Sequence, residues 1–148
     1  MPLPAVIEET NLVEFTDRGR VHQLHSEAFA AWNAMQAQAA SDGVNLILIS
    51  AFRSIARQQA IIDAKRAKGI SDQEIFRVNA QPGFSEHHSG LAIDLGADDC
   101  QTLEESFEET DAFQWLMKRA REFSFYLSYP RNNPYGITYE PWHWRFKK

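Results

Sequence analysis

The sequence lacks cysteine pairs and long apolar runs. Its single cysteine, Cys100, excludes an intramolecular disulfide and a cysteine-rich zinc site. Any bound metal ion must therefore be held by histidines and carboxylates. No apolar stretch approaches the ~20 residues that a transmembrane helix needs, so we expect no membrane span.

Clusters of basic residues are also missing. The 15 Lys and Arg stand against 20 Asp and Glu, which gives a formal net charge of -5. Nucleic-acid binding needs clustered positive charge to displace counterions from phosphates, so we predict no nucleic-acid partner. The N-terminal segment MPLPAVIEETNLVEF has no basic region followed by an apolar core. The sequence as it stands predicts a cytoplasmic protein, and a removed leader would instead indicate a periplasmic or extracellular one.

The residues that are present indicate a folded protein. Hydrophobic residues make up 44% of the chain and include ten Phe and four Trp. The length of 148 residues suits one hydrophobic core, and there is no internal repeat, low-complexity tract or Pro/Gly-rich linker. We predict a single domain over residues 1–148. The oligomeric state is not defined by the sequence, and we expect a monomer.

The hydrophobic pattern predicts helices that interleave with a few short strands. Helical spacing, with serine N-caps at Ser54 and Ser71, predicts helices over residues 20–40, 54–69, 71–79 and 111–123. Aliphatic and alternating runs predict strands at 44–50, 91–96, 125–130 and 137–146. This pattern is typical of an α+β domain with helices packed on one face of a small sheet.

The segment PGFSEHHSGLAIDLG, residues 82–96, contains residues suited to metal binding. His87 and Asp94 are separated by an odd number of positions, so an unbroken strand would send them to opposite faces. Gly90 lets the chain change direction between them. We therefore expect His87 on a loop and Asp94 on a strand, with their side chains converging.

His143 lies in a second such segment, ITYEPWHWRF. Its alternation with Trp142 and Trp144 allows the imidazole to face a cleft while the tryptophans face the core. Glu140 precedes Pro141, which favours a tight turn that brings the carboxylate near the imidazole. Two histidines, one aspartate and a further glutamate are the components of a mononuclear hydrolytic zinc site.

Spacing alone leaves other interpretations open. A buried histidine or a strand aspartate is commonly a hydrogen-bonded structural residue. Two histidines and one carboxylate also form the ligand set of a non-haem iron oxygenase. That second interpretation leaves Glu140 without a role.

Four segments resemble a known family. SEHHSGLAID, residues 85–94, fits the S-x-H-x-x-G-x-A-x-D pattern of the LAS metallopeptidases, and EPWHWRF, residues 140–146, resembles the last motif of their VanY-like D-alanyl-D-alanine carboxypeptidase branch. SAFRS, residues 50–54, and WLMKRAREFSFYLSYP, residues 115–130, are similar to two other segments of that branch. The resemblance implies the LAS metallopeptidase fold, related to hedgehog and DD-peptidases, with a small, mainly antiparallel sheet and helices packed on it.

The resemblance also implies roles for individual residues. The zinc ligands would be His87, Asp94 and His143. Glu140 would be the general base, and Arg53 would donate to the carbonyl oxygen that becomes the oxyanion, with a further contact to substrate. Ser85 and Gln59 are expected to contact the substrate.

Three departures from the family pattern affect substrate preference more than reaction type. Ala51 and Phe52 replace a Gly-Tyr pair, His88 replaces a usual Gln, and Ser128 stands where many relatives carry Arg. The first removes a hydroxyl that could meet the substrate. The last removes a charge that could bind a substrate carboxylate or form a structural ion pair.

We therefore expect a zinc carboxypeptidase that removes the C-terminal D-alanine from peptidoglycan stem peptides or muropeptides. The motifs do not separate D,D cleavage of pentapeptides from L,D cleavage of tetrapeptides. A lysin-like peptidoglycan endopeptidase, which would need an open-ended groove, is an alternative within the same chemistry. A non-haem iron oxygenase and a non-catalytic wall-binding module are alternatives from other classes.

Overall fold

The computed structural model describes all residues from 1 to 148. Six strands and four α-helices follow one another in the order β1 (Leu12–Asp17), β2 (Arg20–His25), α1 (Ser26–Ser41), β3 (Ile47–Ser50), α2 (Ile55–Ala67), α3 (Asp72–Val78), β4 (Ala92–Gly96), α4 (Asp111–Arg119), β5 (Phe125–Leu127) and β6 (His143–Phe146). Short 3-10 turns cover Glu86–Ser89, Glu105–Glu109 and Ala120–Phe123. No helix has both the length and the apolar character needed to cross a membrane.

The central sheet has four antiparallel strands in the order β3-β4-β6-β5. Every residue of β4 is buried, as expected for a central strand covered on both faces. The register pairs Asp94 of β4 with Ser50 of β3 and with His143 of β6. Sheet pairing therefore brings Asp94 beside His143, although the two are far apart in the sequence.

The predicted helix over residues 20–40 begins too early. Residues 20–25 form β2, which pairs with β1 in a separate two-stranded hairpin. Arg18 and Gly19 connect the strands with φ angles of 50° and 79°, the backbone of a tight two-residue hairpin turn. The helix α1 begins only at Ser26, where the Nδ1 atom of His25 accepts a hydrogen bond from the Glu27 N–H.

The later helices are confirmed, with shifts at their ends. Ser54 caps α2 by accepting a hydrogen bond from the Arg57 N–H at 3.0 Å, and Ser71 caps α3 in the same way. The last predicted helix ends at Arg119 and continues as a 3-10 turn.

The predicted strands are confirmed but shorter. The last one starts only at His143, because a turn at Glu140–His143 precedes it, closed by a 3.3 Å hydrogen bond from the His143 N–H to the Glu140 carbonyl. Trp144 is buried in the core as expected. Trp142 instead lies in the turn and is only partly buried.

The hydrophobic core joins α1 and α4 to the central sheet. Trp32 and Met35 of α1 and Leu116 of α4 belong to the same buried cluster as Ile93 and Leu95 of β4. Asp94, which lies between the last two, points to the opposite face of the sheet. The core therefore fixes β4 while leaving the face that carries Asp94 for polar groups.

The N-terminal segment before β1 runs beside the turn that leads into β4. The Val6 N–H donates to the Gly83 carbonyl at 2.8 Å, and the Glu9 N–H donates to the His88 carbonyl at 2.9 Å. Oε1 of Glu8 accepts a 2.6 Å hydrogen bond from the N–H of Ile55, the first residue of α2. This segment therefore contacts two of the loops that surround the polar face of the sheet.

Candidate active site

Three buried side chains bring potential metal ligands to one point. Nε2 of His87 lies 3.1 Å from Oδ2 of Asp94, and Nδ1 of His143 lies 3.0 Å from Oδ1 of the same carboxylate. One ligand atom from each residue lies within 4.8 Å of the other two. The three side chains are at most 5% exposed. Two imidazole nitrogens and a carboxylate oxygen around a common centre are a donor set that fits zinc.

The orientation of His87 follows from its local turn. His87 lies in a 3-10 turn that Ser85 caps with its hydroxyl, and Gly90 ends the turn with a left-handed φ of 71°. Nδ1 of His87 is 2.7 Å from the Ala51 carbonyl oxygen, to which it donates. That hydrogen bond fixes the ring so that Nε2 faces the ligand centre, where it could serve as the ligand atom.

The orientation of His143 depends on Glu86, a residue that the sequence reasoning missed. Nε2 of His143 lies 2.8 Å from Oε1 of Glu86, so the imidazole uses Nδ1 toward Asp94. The same Glu86 oxygen accepts a 2.7 Å hydrogen bond from the Ser128 hydroxyl. The two histidines thus present different ring nitrogens, and each has its outer nitrogen held by a protein oxygen.

The ligand residues strongly perturb one another's protonation. Burial alone would raise the pKa of Asp94, but His87 and His143 outweigh it and hold that pKa well below its usual range. Burial would lower the pKa of His143, yet the hydrogen bonds to Asp94 and Glu86 raise it to about 10. Without a cation the site therefore holds a proton on His143, where a metal ion would replace it.

Glu140 lies beside this cluster without joining it. Its side chain is 12% exposed, and Oε1 is 3.9 Å from Nδ1 of His143. Burial, reinforced by the charges of Asp94 and Glu86, raises the pKa of Glu140 to about 7. A carboxyl group with this pKa exchanges protons readily near neutrality, as a general acid or base must.

Arg53 is held in place beside the cluster. Nη1 donates to Oε1 of Gln58 at 2.9 Å and Nη2 donates to the Ser50 hydroxyl at 3.3 Å. Burial lowers the pKa of Arg53, and the charge of Asp94 opposes this effect. A guanidinium remains protonated at neutral pH, so Arg53 brings a fixed positive charge to the site.

A cavity of about 360 Å³ unites the predicted catalytic residues. Its wall contains the three ligand residues together with Arg53, Ser85 and Glu140. Trp142 also lines the cavity and packs against the edge of the core. The structure thus brings together all of the predicted site residues except one.

Gln59 is that exception. It lies on the exposed side of α2 and its side-chain amide donates to Asp63 at 2.9 Å. Gln58, one position earlier, is 1% exposed, lines the cavity, and bridges Arg53 to the Ala80 carbonyl. One position on a helix is a rotation of about 100°, which is enough to move a side chain from the cavity to solvent.

His88 turns away from the candidate metal ligands. Its Nδ1 atom donates to the Arg53 carbonyl oxygen at 2.7 Å, and its Nε2 atom accepts a hydrogen bond from the Gly83 N–H at 3.1 Å. The buried imidazole therefore joins the loop that carries Arg53 to the turn that precedes His87. Ser128, another departure from the family pattern, donates a hydrogen bond to Glu86.

The chain is similar to a family model and to curated proteins whose descriptions contain the word carboxypeptidase. The family model described as "VanY: D-alanyl-D-alanine carboxypeptidase" matches residues 21–148. The chain is 34% identical over 118 residues to a D-alanyl-D-alanine carboxypeptidase of Enterococcus faecalis, covering 73% of this chain and 42% of that protein. It is 32% identical over 155 residues to YodJ of Bacillus subtilis, covering 97% of this chain and 56% of that protein. The chain thus spans about half the length of the curated relatives it matches.

Solved structures have the same fold. The LdcB LD-carboxypeptidase matches with a TM-score of 0.82 and 31% identity, over 98% of this chain and 72% of that one. VanYB in complex with D-Ala-D-Ala gives 0.77 and 30%, over 98% and 81%. A mutant of the D,D-pentapeptidase VanY in complex with Zn(II) gives 0.74 and 28%, over 98% and 82%. The predicted α+β LAS metallopeptidase fold is confirmed, and the chain belongs to the VanY family of D-alanyl-D-alanine carboxypeptidases.

Proposed function

We propose that the protein is a zinc-dependent carboxypeptidase that removes the C-terminal D-alanine from peptidoglycan stem peptides or muropeptides. The observation that carries this proposal is the convergence of His87, Asp94 and His143 in one cavity with Glu140 and Arg53. The VanY and VanYB structures, in complex with Zn(II) and with D-Ala-D-Ala, support the choice of metal and of substrate class.

The zinc ion would be held by three protein atoms: Nε2 of His87, a carboxylate oxygen of Asp94 and Nδ1 of His143. When bound, zinc supplies Lewis acidity that polarises the scissile carbonyl and acidifies water. The outer nitrogens of both imidazoles are engaged by the Ala51 carbonyl and by Glu86, so neither ring needs to rotate to bind the ion.

Glu140 acts as the general base and then as the general acid. In its ionised form it takes a proton from the attacking water, and in its protonated form it delivers that proton to the leaving amine of D-alanine. In the metal-free site burial raises the pKa of Glu140 to about 7, so its environment keeps the protonated form accessible near neutral pH, as the acid step requires.

Arg53 stabilises the negative charge that develops on the scissile carbonyl oxygen. Its guanidinium is anchored by Gln58 and Ser50, so little reorganisation is needed when that charge forms. Ser85, which lines the cavity and is 5% exposed, contacts the terminal residue of the substrate. Gln58 takes the substrate-side position that was expected for Gln59, because it is the glutamine of α2 that reaches the cavity.

The test is product analysis on defined tri-, tetra- and pentapeptide stems with zinc-loaded protein, with and without a chelator. We expect release of free D-alanine that stops on chelation and recovers on addition of zinc. The neighbours include both VanY and the LdcB LD-carboxypeptidase at similar identity, so the tetrapeptide and the pentapeptide are assayed side by side.

Other outcomes lead to other functions. Internal cleavage of the stem, detected by mass spectrometry, would indicate an endopeptidase. Binding of iron rather than zinc, with oxygen consumption, would indicate an oxygenase. Binding of muropeptides without any product, by protein that retains its zinc, would indicate a wall-binding module and reject the proposed activity.

A further inference from the structure

Lys65 is a cation in the active-site cavity that has no acidic partner. It lies on α2 and lines the same cavity as Arg53 and Glu140. Its neighbour Arg66 pairs with both Asp63 and Asp72, whereas Lys65 forms no ion pair and donates no side-chain hydrogen bond. Its charge therefore remains available to a ligand.

The geometry of α2 directs Lys65 toward the site. Gln58 and Lys65 are seven residues apart, which is two helical turns, so both side chains occupy one face of α2. Helical side chains lean toward the N-terminus of their helix, and the N-terminal end of α2 adjoins the loop that carries Arg53. This lean directs the half-buried Lys65 side chain along the cavity wall toward Arg53.

The charges of the cavity are segregated. Asp94, Glu86 and Glu140 lie around the metal-binding histidines, whereas Arg53 and Lys65 bring positive charge to the wall formed by α2 and the preceding loop. Burial, followed by the like charge of Arg53, lowers the pKa of Lys65. Two cations that disfavour each other across one cavity are both stabilised when an anion binds between them.

We propose that Lys65 binds the free carboxylate of the residue that the enzyme removes. A peptide whose scissile carbonyl lies at the metal extends its terminal carboxylate one residue further, away from the acidic group of ligands. Of the two cations on that wall, Lys65 is the one whose side chain donates no hydrogen bond, and its contact leaves Arg53, held by Gln58 and Ser50, to serve the scissile carbonyl. This inference rests on the proposed carboxypeptidase function and would explain why cleavage is confined to the last residue.

The consequence is selection of a chain end. A carboxylate bound by Lys65 is present only when the residue after the scissile bond is the last one. Peptides with an amidated or extended C-terminus lack that anion at this position. Lys65 would therefore make the enzyme an exopeptidase by charge recognition, in a cavity whose hydrolytic groups would otherwise also serve an endopeptidase.

The experiment compares a stem tetrapeptide with a free C-terminus and the same peptide with a C-terminal amide. Binding is measured by calorimetry on zinc-loaded protein carrying Glu140→Ala, which prevents turnover, and hydrolysis is measured on protein with Glu140 intact. The variants are Lys65→Met, which removes the charge, and Lys65→Arg, which keeps it. Lys68→Met is the matched control, because Lys68 is exposed at the end of the same helix.

We expect Lys65→Met to weaken binding of the free acid on the order of 10- to 100-fold, with little change for the amide. The same variant raises KM for the free acid with a smaller change in kcat. Lys65→Arg retains most of the preference, and Lys68→Met retains all of it.

The possible results separate the Lys65 inference from the proposed function. An unchanged preference for the free acid in Lys65→Met would overturn the inference, as would equal weakening of acid and amide, which would indicate a packing role. Failure of hydrolysis with a Lys65-dependent preference in binding would reject the proposed function and retain the carboxylate site. Failure of every peptide to bind would reject both.

Discussion

Oε1 of Glu140 lies 3.9 Å from Nδ1 of His143, across the turn that Pro141 starts. The carboxyl group is thus next to the candidate ligand atom yet beyond hydrogen-bonding distance from it. This separation distinguishes Glu140 from Asp94, which is 3.0 Å from the same nitrogen. Glu140 can act on a substrate or water at the site without occupying a ligand position.

Replacing Glu140 should separate catalysis from metal binding. We expect Glu140→Gln to lower kcat by about 10²- to 10⁴-fold, the range typical for loss of a general acid–base group, with one zinc ion still bound. Metal analysis and steady-state hydrolysis of the same samples check this. Glu14→Gln, an exposed change on β1, serves as the control. Loss of zinc from the Glu140 variant would instead make Glu140 a ligand.

Zinc affinity should rise with pH. The pKa of His143 is raised to about 10 and that of Glu140 to about 7, so near pH 6 the metal-free site holds protons on both groups. Ligation through Nδ1 of His143 must expel a proton, which makes the apparent zinc association constant increase about tenfold per pH unit for each proton released. Calorimetry in buffers with different ionisation enthalpies counts those protons. Zinc binding at pH 6 without proton release would contradict this protonation state.

Removing Glu86 should weaken metal binding without removing a ligand. We expect Glu86→Ala to lower zinc affinity by about 10- to 100-fold, because Nε2 of His143 then loses the acceptor that orients the ring. Glu86→Gln keeps an acceptor and should lose less, and Ser128→Ala, which removes only a supporting hydroxyl, least of all. Competition with a chromophoric chelator measures the affinity. Equal affinity in Glu86→Ala and the unchanged protein would show that His143 needs no such support.

A side chain at Gly90 should destabilise the turn that unites His87 with Asp94. An added Cβ would lie 2.8 Å from Cδ2 of Leu12 and 2.9 Å from the backbone nitrogen of His25, at a φ of +71°. We expect Gly90→Ala to lower the free energy of unfolding by about 1–3 kcal/mol in urea titrations of metal-free protein.

Gly69→Ala is the matched control for this change. Gly69 has a φ of +82° but nothing within 4 Å of an added Cβ, so it measures the backbone strain alone. The excess cost at Gly90 then reports the close approach of β1 and β2 to the metal-binding turn. Equal costs at the two glycines would mean that Leu12 and the backbone move aside freely.

The parts of the fold and site that local sequence could predict are those fixed by short-range chemistry. The caps Ser54 and Ser71 and the break at Gly90 act within a few residues of their own positions, and each lies where it was expected. The convergence of His87 with Asp94 follows from that same break. The ligand role expected for His143 came from the resemblance of residues 140–146 to a family motif, since the predicted alternation fails at Trp142, which lies in the turn.

The features that the sequence did not predict depend on contacts between residues that are far apart in the chain. Val21 and Leu24 fit the spacing of a helix, yet pairing with β1 makes residues 20–25 a strand. The choice between Gln58 and Gln59 depends on the rotation of α2, which packing sets and spacing does not. Glu86 gave no local signal, because its partners His143 and Ser128 lie far along the chain.

The N-terminal segment has a consequence for anyone who trims this protein to its recognisable family region. That region begins at residue 21, whereas the Val6 and Glu9 amides and the Glu8 carboxylate bind Gly83, His88 and Ile55. Cutting at the family boundary would uncover these three backbone groups and delete β1. Minimal versions made for crystallisation or engineering should therefore keep the first twenty residues, because these residues form hydrogen bonds to the loops around His87 and His88.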